Sequence, residues 1–479
     1  MWPFKKEQSA VVRLTDTLSG AKREFVKKSG GPVTMYSCGP TVYGPQHIGN
    51  LRAAVFADTL ARTLKAAGYK VQRVVNITDV GHLVGDGDEG EDKMAVGAAR
   101  EHTTPEAIAK RYTAQYLADI AALNIDTTTI EFPRATAYIP QQKKMIEVLM
   151  RKGLAYETSD GVYFDTAKFP DYGELGNVKQ ILLKAGARVA MGEKRNEHDF
   201  VLWRMKKPGE LQSWDSPWGE GNPGWSIECS AMATSLLGNT IDIHTGGQDH
   251  IHVHHNNEIA QSEGATGVKP FARYWLHNAF LTIGGEKVSK SLGNTYTLDD
   301  VKAKSIHPLA LRYLFMQAHY RTPLSFTWDS LEAADTALKR LWKLAREVSA
   351  QSGKRGEHPS RPGGAAIRAY ALDDLKTPSS LETLWSELTF PENSPEKKWD
   401  ALISAEEVLG LSLTNPPEEA KTLSAADLPA DLQPLAKERE EARKNKDFAR
   451  SDELRIHFQN RGYAVDDGPS GSTYTKNEK

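Results

Sequence analysis

Apolar and polar residues alternate with regular periods in the first part of the chain. Residues 33–44 form a short apolar run that breaks at Gly39-Pro40, which predicts a strand followed by a turn. Apolar positions in 51–68 recur at helical spacing up to a glycine, and 71–80 is a β-branched run typical of a second strand. A strand, a helix and a strand in this order predict a βαβ unit and a parallel sheet of Rossmann type.

Later segments predict how this sheet is interrupted and continued. Residues 134–222 are rich in Gly, Pro and Trp and interrupt the α/β pattern, which resumes at 241–247 and 275–285. After about residue 327 the apolar spacing becomes helical. We therefore predict the α/β class, with a Rossmann-type parallel-sheet domain that carries an insertion, then a helical bundle and a small C-terminal domain. The predicted boundaries are 1–133 and 223–328 for the two halves of the sheet domain, 134–222 for the connective insertion, 329–422 for the bundle and 423–479 for the C-terminal domain.

Composition narrows the class of protein without indicating its chemistry. The 479 residues are 39% hydrophobic and 25% charged, which is typical of a globular protein of two or three domains. No apolar run reaches the roughly 20 residues that span a bilayer, and the first residues lack the apolar core of a secretory signal. Two distant cysteines without an export signal indicate a reducing cytoplasm rather than disulfides. Because the net charge is −2, any surface that binds a polyanion must be a local patch.

The two cysteines, Cys38 and Cys229, both stand near other residues that can bind a metal. His254 and Glu258 are spaced i, i+4, so on a helix their side chains lie on one face and can reach a single ion. Two thiolates, an imidazole and a carboxylate would complete a tetrahedral zinc shell. The alternative is that both cysteines are small buried apolar residues, as free cysteine often is.

Two further motifs point to a nucleotide. HIGN (47–50) lies between a predicted strand and a predicted helix, where the helix N-terminus attracts phosphate and Gly49 permits close approach. His47 and Asn50 can donate hydrogen bonds to a triphosphate. GGEKVSKSLGN (284–294) carries two lysines between glycines and could close over negative charge that develops during attack on a phosphate. Taken singly, the first motif could be a structural histidine and the second a solvated loop.

Together these motifs are the signature pair of class I aminoacyl-tRNA synthetases, and neighbouring segments resemble the cysteinyl-tRNA synthetase family over nearly the whole chain. The segments that carry the resemblance are CGPTVYGPQHIGN (38–50), NITDV (76–80), GVYFD (161–165), SWDSPWG (213–219), PGWSIECSAM (223–232), HHNNEIAQSEG (254–264), KVSKSLGN (287–294) and HYRTPLSFT (319–327). By this resemblance the sheet domain is catalytic and the C-terminal domain contacts RNA on the anticodon side.

The resemblance also assigns roles to single residues. It implies that one Zn²⁺ per chain is bound by Cys38, Cys229, His254 and Glu258 and contacts the thiol of substrate cysteine. Further residues implied to line the amino-acid pocket are Thr78, Trp225 and Asp249, with Cys38 beside them. The ATP contacts and catalytic residues implied are His47, Gly49, Asn50, Lys287 and Lys290.

The reaction implied is the ligation of cysteine to tRNA(Cys). The carboxylate of L-cysteine attacks the α-phosphate of ATP, with Mg²⁺ expected beside the phosphates, and the terminal ribose of tRNA then attacks the adenylate. Zinc prefers a thiolate to a neutral hydroxyl, so such a pocket could reject serine without an editing domain. We expect a cytoplasmic monomer. Two alternatives stay open: a ligase that passes cysteine to an amino sugar, and a non-catalytic module that binds zinc and RNA.

The tail, 436–474, resembles the RNA-contacting helix and terminal domain of the same family. Its candidate phosphate contacts are Arg443, Lys444, Lys446 and Arg450, and Tyr474 is the candidate for stacking on an unpaired base. The chain departs from the family at several positions. Ser226 stands where His is usual, HTGG (244–247) replaces HGGG, HIHV (250–253) replaces a segment that ends in Phe-Pro, and Tyr474 stands where Trp is frequent.

Overall fold

The computed structural model describes most of the chain. The described residues are 10–28, 30–81, 92–177, 193–284, 286–287, 295–353, 364–418, 422–468 and 471–476. They fall into two compact units, one comprising residues up to 298 together with 308–414, and the other comprising 299–307 and the chain from 415 onward. Among the described helices, none is both long enough and apolar enough to cross a membrane.

The first stretch contains the predicted βαβ unit. Its elements are β1 (Arg13–Thr15), β2 (Lys22–Glu24), β3 (Val33–Ser37), α1 (Ile48–Ala66), β4 (Val71–Val75), α2 (Lys93–Arg100), α3 (Pro105–Ala122) and β5 (Ile130–Glu131). Strands β3 and β4 pair in parallel with α1 between them, as the hydrophobic pattern predicts. Helix α1 begins three residues earlier than its apolar repeat because His47 caps it.

The predicted strand over 71–80 ends at Val75. The chain leaves the sheet there because Ile77 and Thr78 use their backbone N–H groups elsewhere, on the carbonyls of Pro133 and Pro40. This early exit turns residues 76–78 across the end of the sheet, beside the turn that follows β3.

The segment predicted as an insertion has its own sheet. Its elements are α4 (Ile139–Arg151), β6 (Ala155–Glu157), β7 (Gly161–Phe164), β8 (Phe200–Met205) and β9 (Gly221–Pro223). The four strands form an antiparallel sheet in the order β6-β7-β8-β9. Phe164, Leu202 and Trp203 are fully buried in the core that this sheet shares with α4.

The α/β pattern then resumes and is followed by helices. The elements are α5 (Trp225–Leu237), β10 (Ile241–Gly247), α6 (His254–Thr266), β11 (Ala272–Asn278), β12 (Leu281–Ile283), β13 (Glu286–Lys287), α7 (Leu298–Ala303), α8 (Pro308–Met316), β14 (Leu324–Phe326), α9 (Trp328–Ser352), α10 (Ala365–Leu372), α11 (Thr377–Thr389) and α12 (Pro395–Leu409). The central sheet has the order β11-β10-β3-β4-β5, and every pairing in it is parallel.

A buried ion cluster ties α1 to the helical region. Asp58 on α1 accepts hydrogen bonds from Arg312 at 2.8 Å, Arg62 at 2.7 Å and Arg73 at 3.2 Å. Arg312 also donates to the carbonyls of Leu123 and Leu409, so a single guanidinium joins three segments. The three guanidinium groups outweigh the effect of burial and hold the pKa of Asp58 well below its usual range.

The C-terminal part has a small core of its own. It contains β15 (Thr422–Leu423), α13 (Gln433–Lys444), α14 (Phe448–Asn460), β16 (Tyr463–Gly468) and β17 (Gly471–Lys476), with the sheet order β15-β17-β16. Leu432, Phe458 and Tyr474 are buried together. Arg439 is fully buried and donates two hydrogen bonds to Asp467, which also pairs with Arg443 and Arg455.

Candidate metal and substrate site

The candidate site lies where the parallel strands end. Strand order reverses between β3 and β10, because the chain adds β4 and β5 on one side of β3 and β10 and β11 on the other. In open parallel sheets ligands bind in the crevice at the carboxyl ends of the strands, at such a switch point. A cavity of about 320 Å³ opens there, within the usual size range of ligand sites.

The turn after β3 brings Cys38 to the floor of this cavity. The backbone N–H of Cys38 donates to the carbonyl of Thr245 on β10, and that of Gly39 donates to the Asn76 side chain. A Cβ atom on residue 39 would lie 1.7 Å from the carbonyl oxygen of Asn76, so only glycine permits this approach. The turn therefore holds the Cys38 thiol at the switch point.

Helices α5 and α6 supply the other donors from one side of the cavity. Cys229 lies on α5, and His254 and Glu258 lie on α6 at the predicted i, i+4 spacing, all three nearly inaccessible to solvent. One ligand atom from each of Cys38, His254, His255 and Glu258 lies within 4.8 Å of all the others. The fold thus brings together three of the four predicted zinc ligands, with His255 as an additional neighbour.

The carboxylate of Glu258 is divided between two tasks. Its Oε1 lies 3.1 Å from His254 Nε2 and 3.8 Å from Cys38 Sγ, so this oxygen faces the donor cluster. Its Oε2 lies 2.8 Å from Nε2 of the buried His244. Burial raises the pKa of Glu258, but the charge and hydrogen bond of His244 and the hydrogen bond of His254 lower it to about 2. Glu258 is therefore an anion at neutral pH, fixed by one oxygen and open to a cation at the other.

Cys229 contacts the same cluster through the thiol of Cys38 and the imidazole of His254. Burial raises the pKa of Cys229, but the contact with Cys38 and the charge of His254 bring it to about 7. Burial lowers the pKa of His254, yet the neighbouring Cys229 and Glu258 raise it to about 10. Burial, with Cys229 and Glu258 nearby, raises the pKa of Cys38 well above its usual value. The buried cluster thus concentrates acidic groups that a cation would compensate.

The donor set fits zinc in kind and number. Thiolate sulfur, imidazole nitrogen and carboxylate oxygen are the groups that bind Zn²⁺ in proteins, usually four at a time. Among the described residues, the buried Nε2 of His254 makes no hydrogen bond of regular geometry, and its near neighbour is the anionic Oε1 of Glu258 at 3.1 Å, an arrangement that a shared metal would explain. His255 differs, because Nε2 contacts Cys38 Sγ at 3.2 Å and Nδ1 contacts His277 at 2.7 Å.

This second set of histidines was not predicted from the sequence. His255 Nδ1 pairs with His277 Nε2, and His277 Nδ1 pairs with the hydroxyl of Thr17 at 2.7 Å. The three residues lie on α6, at the end of β11 and just after β1, so only the strand order brings them together. The sequence does show several histidines within 244–255 and another at 277. It does not indicate which of these rings contact each other.

The wall of the cavity contains two of the three predicted pocket residues. Trp225 and Asp249 both line it, and the Trp225 ring packs against His254 with centroids 4.1 Å apart and planes inclined by 34°. Thr78 lies behind the wall instead. It is 1% exposed, and its hydroxyl donates to Glu228 at 3.0 Å; its contact with substrate stays a prediction.

The altered residue of HTGG also lies at the cavity. Thr245 lines it, and its hydroxyl donates to the hydroxyl of Ser37 across β10 and β3 at 2.7 Å. Gly246 stays glycine for a steric reason, because a Cβ there would lie 2.7 Å from the rings of His250 and His255. The replacement thus adds a buried hydrogen bond to the floor of the cavity while leaving the following glycine in place.

At the other end of the cavity the predicted phosphate motif caps α1. His47, Gly49 and Asn50 all line the cavity, and His47 Nδ1 accepts from the backbone N–H of Asn50 at 3.2 Å. The backbone N–H of Ile48 donates to the carbonyl of Tyr296, close after the KVSKSLGN segment. Of the predicted lysines, Lys287 lies in β13 but its side chain is outside the described residues, and Lys290 is wholly outside them.

The C-terminal unit contradicts the predicted stacking residue. Tyr474 is 1% exposed and packs on Phe458 in the core, so it cannot stack on a base. A domain this small has few large apolar side chains for its core, so burying Tyr474 stabilises the fold more than leaving it exposed. Phe448, at the start of α14, is 66% exposed instead. Of the predicted phosphate contacts, Lys444 and Lys446 are exposed.

Arg443 and Arg450 from the same prediction are engaged in ion pairs. Arg443 pairs with Asp467, and Arg450 pairs with Glu438 at 2.8 Å and Glu453 at 2.5 Å. Both side chains are partly exposed, at 37% and 40%. A phosphate would therefore have to compete with carboxylates at these two positions.

Two family models match the chain in agreement with these two units. Residues 24–336 match the model of the class I (C) tRNA synthetase catalytic domain, and residues 425–474 match the cysteinyl-tRNA ligase anticodon-binding domain.

Similar proteins cover almost the full length. Cysteine–tRNA ligase 1 of Burkholderia lata is 46% identical over 463 residues, covering 96% of this chain and 95% of that protein. The cysteine–tRNA ligases of Chlorobium chlorochromatii and Thermus thermophilus are 39% and 40% identical, covering 96% and 95% of this chain and 98% and 97% of those proteins. Among solved structures, methionyl-tRNA synthetase of Mycobacterium tuberculosis bound to methionyl-adenylate is similar with a TM-score of 0.54 at 16% identity, over 80% of this chain and 91% of that one. At that identity the similarity concerns the fold.

Proposed function

The chain belongs to the cysteine–tRNA ligase family, and we propose that it selects its amino acid at a zinc centre formed by Cys38, Cys229, His254 and Glu258. The reaction has two steps. The carboxylate of cysteine attacks the α-phosphate of ATP and releases pyrophosphate, and the terminal ribose hydroxyl of tRNA then attacks the carbonyl of the adenylate and releases AMP. The match to the anticodon-binding domain favours tRNA over an amino sugar as the acceptor of cysteine.

One observation carries the zinc proposal. Donor atoms from the turn after β3 and from α6 lie within 4.8 Å of one another, Cys229 of α5 contacts two of these residues, and Oε1 of Glu258 and Nε2 of His254 both face the meeting point. Burying this many ionisable groups is costly unless a cation compensates them. Zinc bound there would supply a contact that holds a thiolate far better than a neutral hydroxyl.

The protein's own residues then orient the rest of the substrate. Trp225 and Asp249 line the wall beside the donor cluster, so we assign them the aliphatic part and the ammonium group of cysteine. At the far end, the N-terminus of α1 with His47, Gly49 and Asn50 offers backbone N–H groups and a positive dipole to the phosphates of ATP with its Mg²⁺. Lys287 and Lys290 are proposed to stabilise the charge that develops on the α-phosphate as pyrophosphate leaves.

Recognition of tRNA is proposed to involve the C-terminal unit. Lys444 and Lys446 are exposed for phosphate, and the exposed Phe448 replaces Tyr474 as the aromatic available for base stacking. A monomeric state and a cytoplasmic location remain predictions, and the first is checked by sedimentation equilibrium.

Cysteine-dependent exchange between ATP and labelled pyrophosphate tests the activation step. We expect exchange with cysteine and little with serine, and loss of exchange in Cys229→Ser. Charging of tRNA(Cys) then tests the acceptor. Absence of exchange in folded, zinc-loaded protein would refute the proposal, whereas equal exchange with serine would refute only the zinc-based selection.

A further inference from the structure

Ser226 contacts a proposed zinc ligand on the side that faces away from the donor cluster. Its hydroxyl oxygen lies 3.1 Å from Nδ1 of His254, while Nε2 of the same ring lies 3.1 Å from Glu258 Oε1. Both side chains are buried, Ser226 at 6% and His254 at 1% exposure. The hydroxyl thus meets the one ring nitrogen that a metal at Nε2 would leave for another partner.

The Ser226 oxygen is itself held by a short chain of polar groups. The side-chain amide of Asn257 donates to it at 3.5 Å, and the hydroxyl of Tyr172 donates to Oδ1 of Asn257 at 2.7 Å. With Oδ1 of Asn257 accepting from Tyr172, the amide nitrogen points toward Ser226. Asn257 is buried on α6, and Tyr172 belongs to the segment predicted as the insertion.

The contacts around Ser226 suit one tautomer of His254. The Tyr172 hydroxyl and the Asn257 amide both donate in the direction of Ser226, whose oxygen can accept two hydrogen bonds. A metal at Nε2 places the imidazole proton on Nδ1, and the Ser226 oxygen, 3.1 Å away, is then its acceptor. That tautomer leaves Nε2 of His254 without a proton and with its lone pair toward the donor cluster, which is the form that binds a metal.

We infer that Ser226 is a positioning residue that sets the tautomer and orientation of His254 for zinc, with Asn257 and Tyr172 supporting it; this rests on the zinc centre proposed above. The Trp225 ring, packed against His254 with centroids 4.1 Å apart, restricts the tilt of the imidazole, and Ser226 restricts its rotation about the Cβ–Cγ bond. Outer partners of metal-bound histidine usually change metal affinity by about 10- to 100-fold when removed.

A purely structural role for Ser226 is the competing account, and the same helix offers a matched control. Ser230 lies one turn further along α5, is fully buried, and donates to the side chain of Gln261 at 2.6 Å. Its hydroxyl also lies 3.5 Å from the backbone carbonyl of Glu258, but among the described residues it does not contact a side chain of the proposed zinc shell. Ser226→Ala and Ser230→Ala therefore each remove one buried hydroxyl, but only the first removes a contact with His254.

The test is the zinc dissociation constant of the full-length protein, measured by competition with a chromogenic chelator. We expect Ser226→Ala to weaken zinc binding about 10- to 100-fold, Ser226→Thr to retain most of the affinity, and Ser230→Ala to match the unmodified protein. Tyr172→Phe removes the outer hydroxyl of the chain and should weaken zinc binding by a smaller factor. It replaces Ser226→Ala as the test variant if Ser226→Ala does not fold.

The outcomes separate this inference from the proposal beneath it. Unmodified protein that binds no zinc would overturn the zinc centre itself. The role of Ser226 alone would be overturned if the unmodified protein binds zinc and Ser226→Ala has the same zinc dissociation constant as the unmodified protein or as Ser230→Ala. The absorption bands of the cobalt-substituted protein give a second readout, because a reoriented His254 changes the ligand field while a merely less stable fold does not.

Discussion

Five side chains compete for four positions at the proposed metal centre. His255 lies as close to Cys38 as a ligand could, at 3.2 Å, but both of its ring nitrogens already have partners. Cys229 contacts Cys38 and His254, and these contacts lower the pKa of its thiol, which favours the thiolate that a metal binds. We therefore assign the fourth position to Cys229 and give His255 the role of hydrogen-bonding the Cys38 sulfur.

This assignment predicts different outcomes for two substitutions. Cys229→Ser should abolish stoichiometric zinc because the centre loses one thiolate of two. His255→Ala should retain one zinc per chain with weaker affinity, since it removes only a neighbour of a ligand. Atomic absorption on the purified proteins measures both. Full zinc in Cys229→Ser together with none in His255→Ala would reverse the assignment.

The proximity of three residues of the proposed zinc centre could be predicted from the sequence, whereas their neighbours could not. His254 and Glu258 share a helix face, so their spacing alone places them together, and Cys38 follows a strand whose carboxyl end predicts a site. Ser226, His277 and Thr17 reach the site from other elements, through the order of strands and the packing of α5 on α6. The hydrogen bond from the Thr78 hydroxyl to Glu228 is likewise a contact between distant segments that the sequence does not indicate.

At the scale of elements, α1 is held by charge as well as by its apolar face. Asp58 neutralises part of a buried group of three arginines, and Arg312 among them joins α1 to two carbonyl groups in other segments. Because α1 also carries the proposed phosphate contacts at its N-terminus, this cluster fixes the element that we propose positions ATP.

Asp58→Asn should lower the free energy of unfolding by about 3–5 kcal/mol, the usual cost of leaving buried charges without their partner. In the unmodified protein the pKa of Asp58 is lower when folded than when unfolded, so its contribution is present above pH about 4 and is lost as the pH falls toward the folded value. Urea unfolding at several pH values measures this. Asp299→Asn, on an exposed side chain, is the control. An Asp58→Asn protein as stable as the control at pH 7 would contradict the account.

Sequence patterns predict the helices and strands better than they predict the residues at which these elements begin and end. The apolar repeat of α1 begins at Leu51, but the helix begins at Ile48 because His47 provides the cap. The β-branched run over 71–80 reads as one strand, yet it leaves the sheet after Val75 for hydrogen bonds to Pro40 and Pro133. In both places a contact made by one residue overrides the periodicity of its neighbours.

At the scale of the whole molecule, activation and tRNA recognition are assigned to different units of the chain. The substrate cavity is lined by residues of the first unit, and the anticodon-binding match lies in the second. A small domain cannot both bury Tyr474 in its core and present it to RNA, which is why the sequence-based choice of that residue failed. Hydrophobic patterning does not distinguish a core aromatic from an exposed one in so short a segment.

Phe448→Ala should therefore reduce charging of tRNA(Cys) about 5- to 100-fold, the loss of one base-stacking contact of about 1–3 kcal/mol. Pyrophosphate exchange should stay unchanged because it involves no tRNA. Ile456→Ala on the same helix is a matched control, since that side chain is also exposed, at 57%, but has no aromatic face. Equal charging by the two variants would argue against Phe448 as a stacking residue.

The central claim is that the thiol of the substrate is recognised by a metal held by Cys38, Cys229, His254 and Glu258. The most direct test is the absorption spectrum of the cobalt-substituted protein during titration with cysteine and then with serine. We predict that cysteine adds intensity to the sulfur-to-cobalt charge-transfer bands, because one more thiolate joins the metal, and that serine leaves them unchanged. A spectrum that cysteine does not alter at concentrations supporting pyrophosphate exchange would contradict the account.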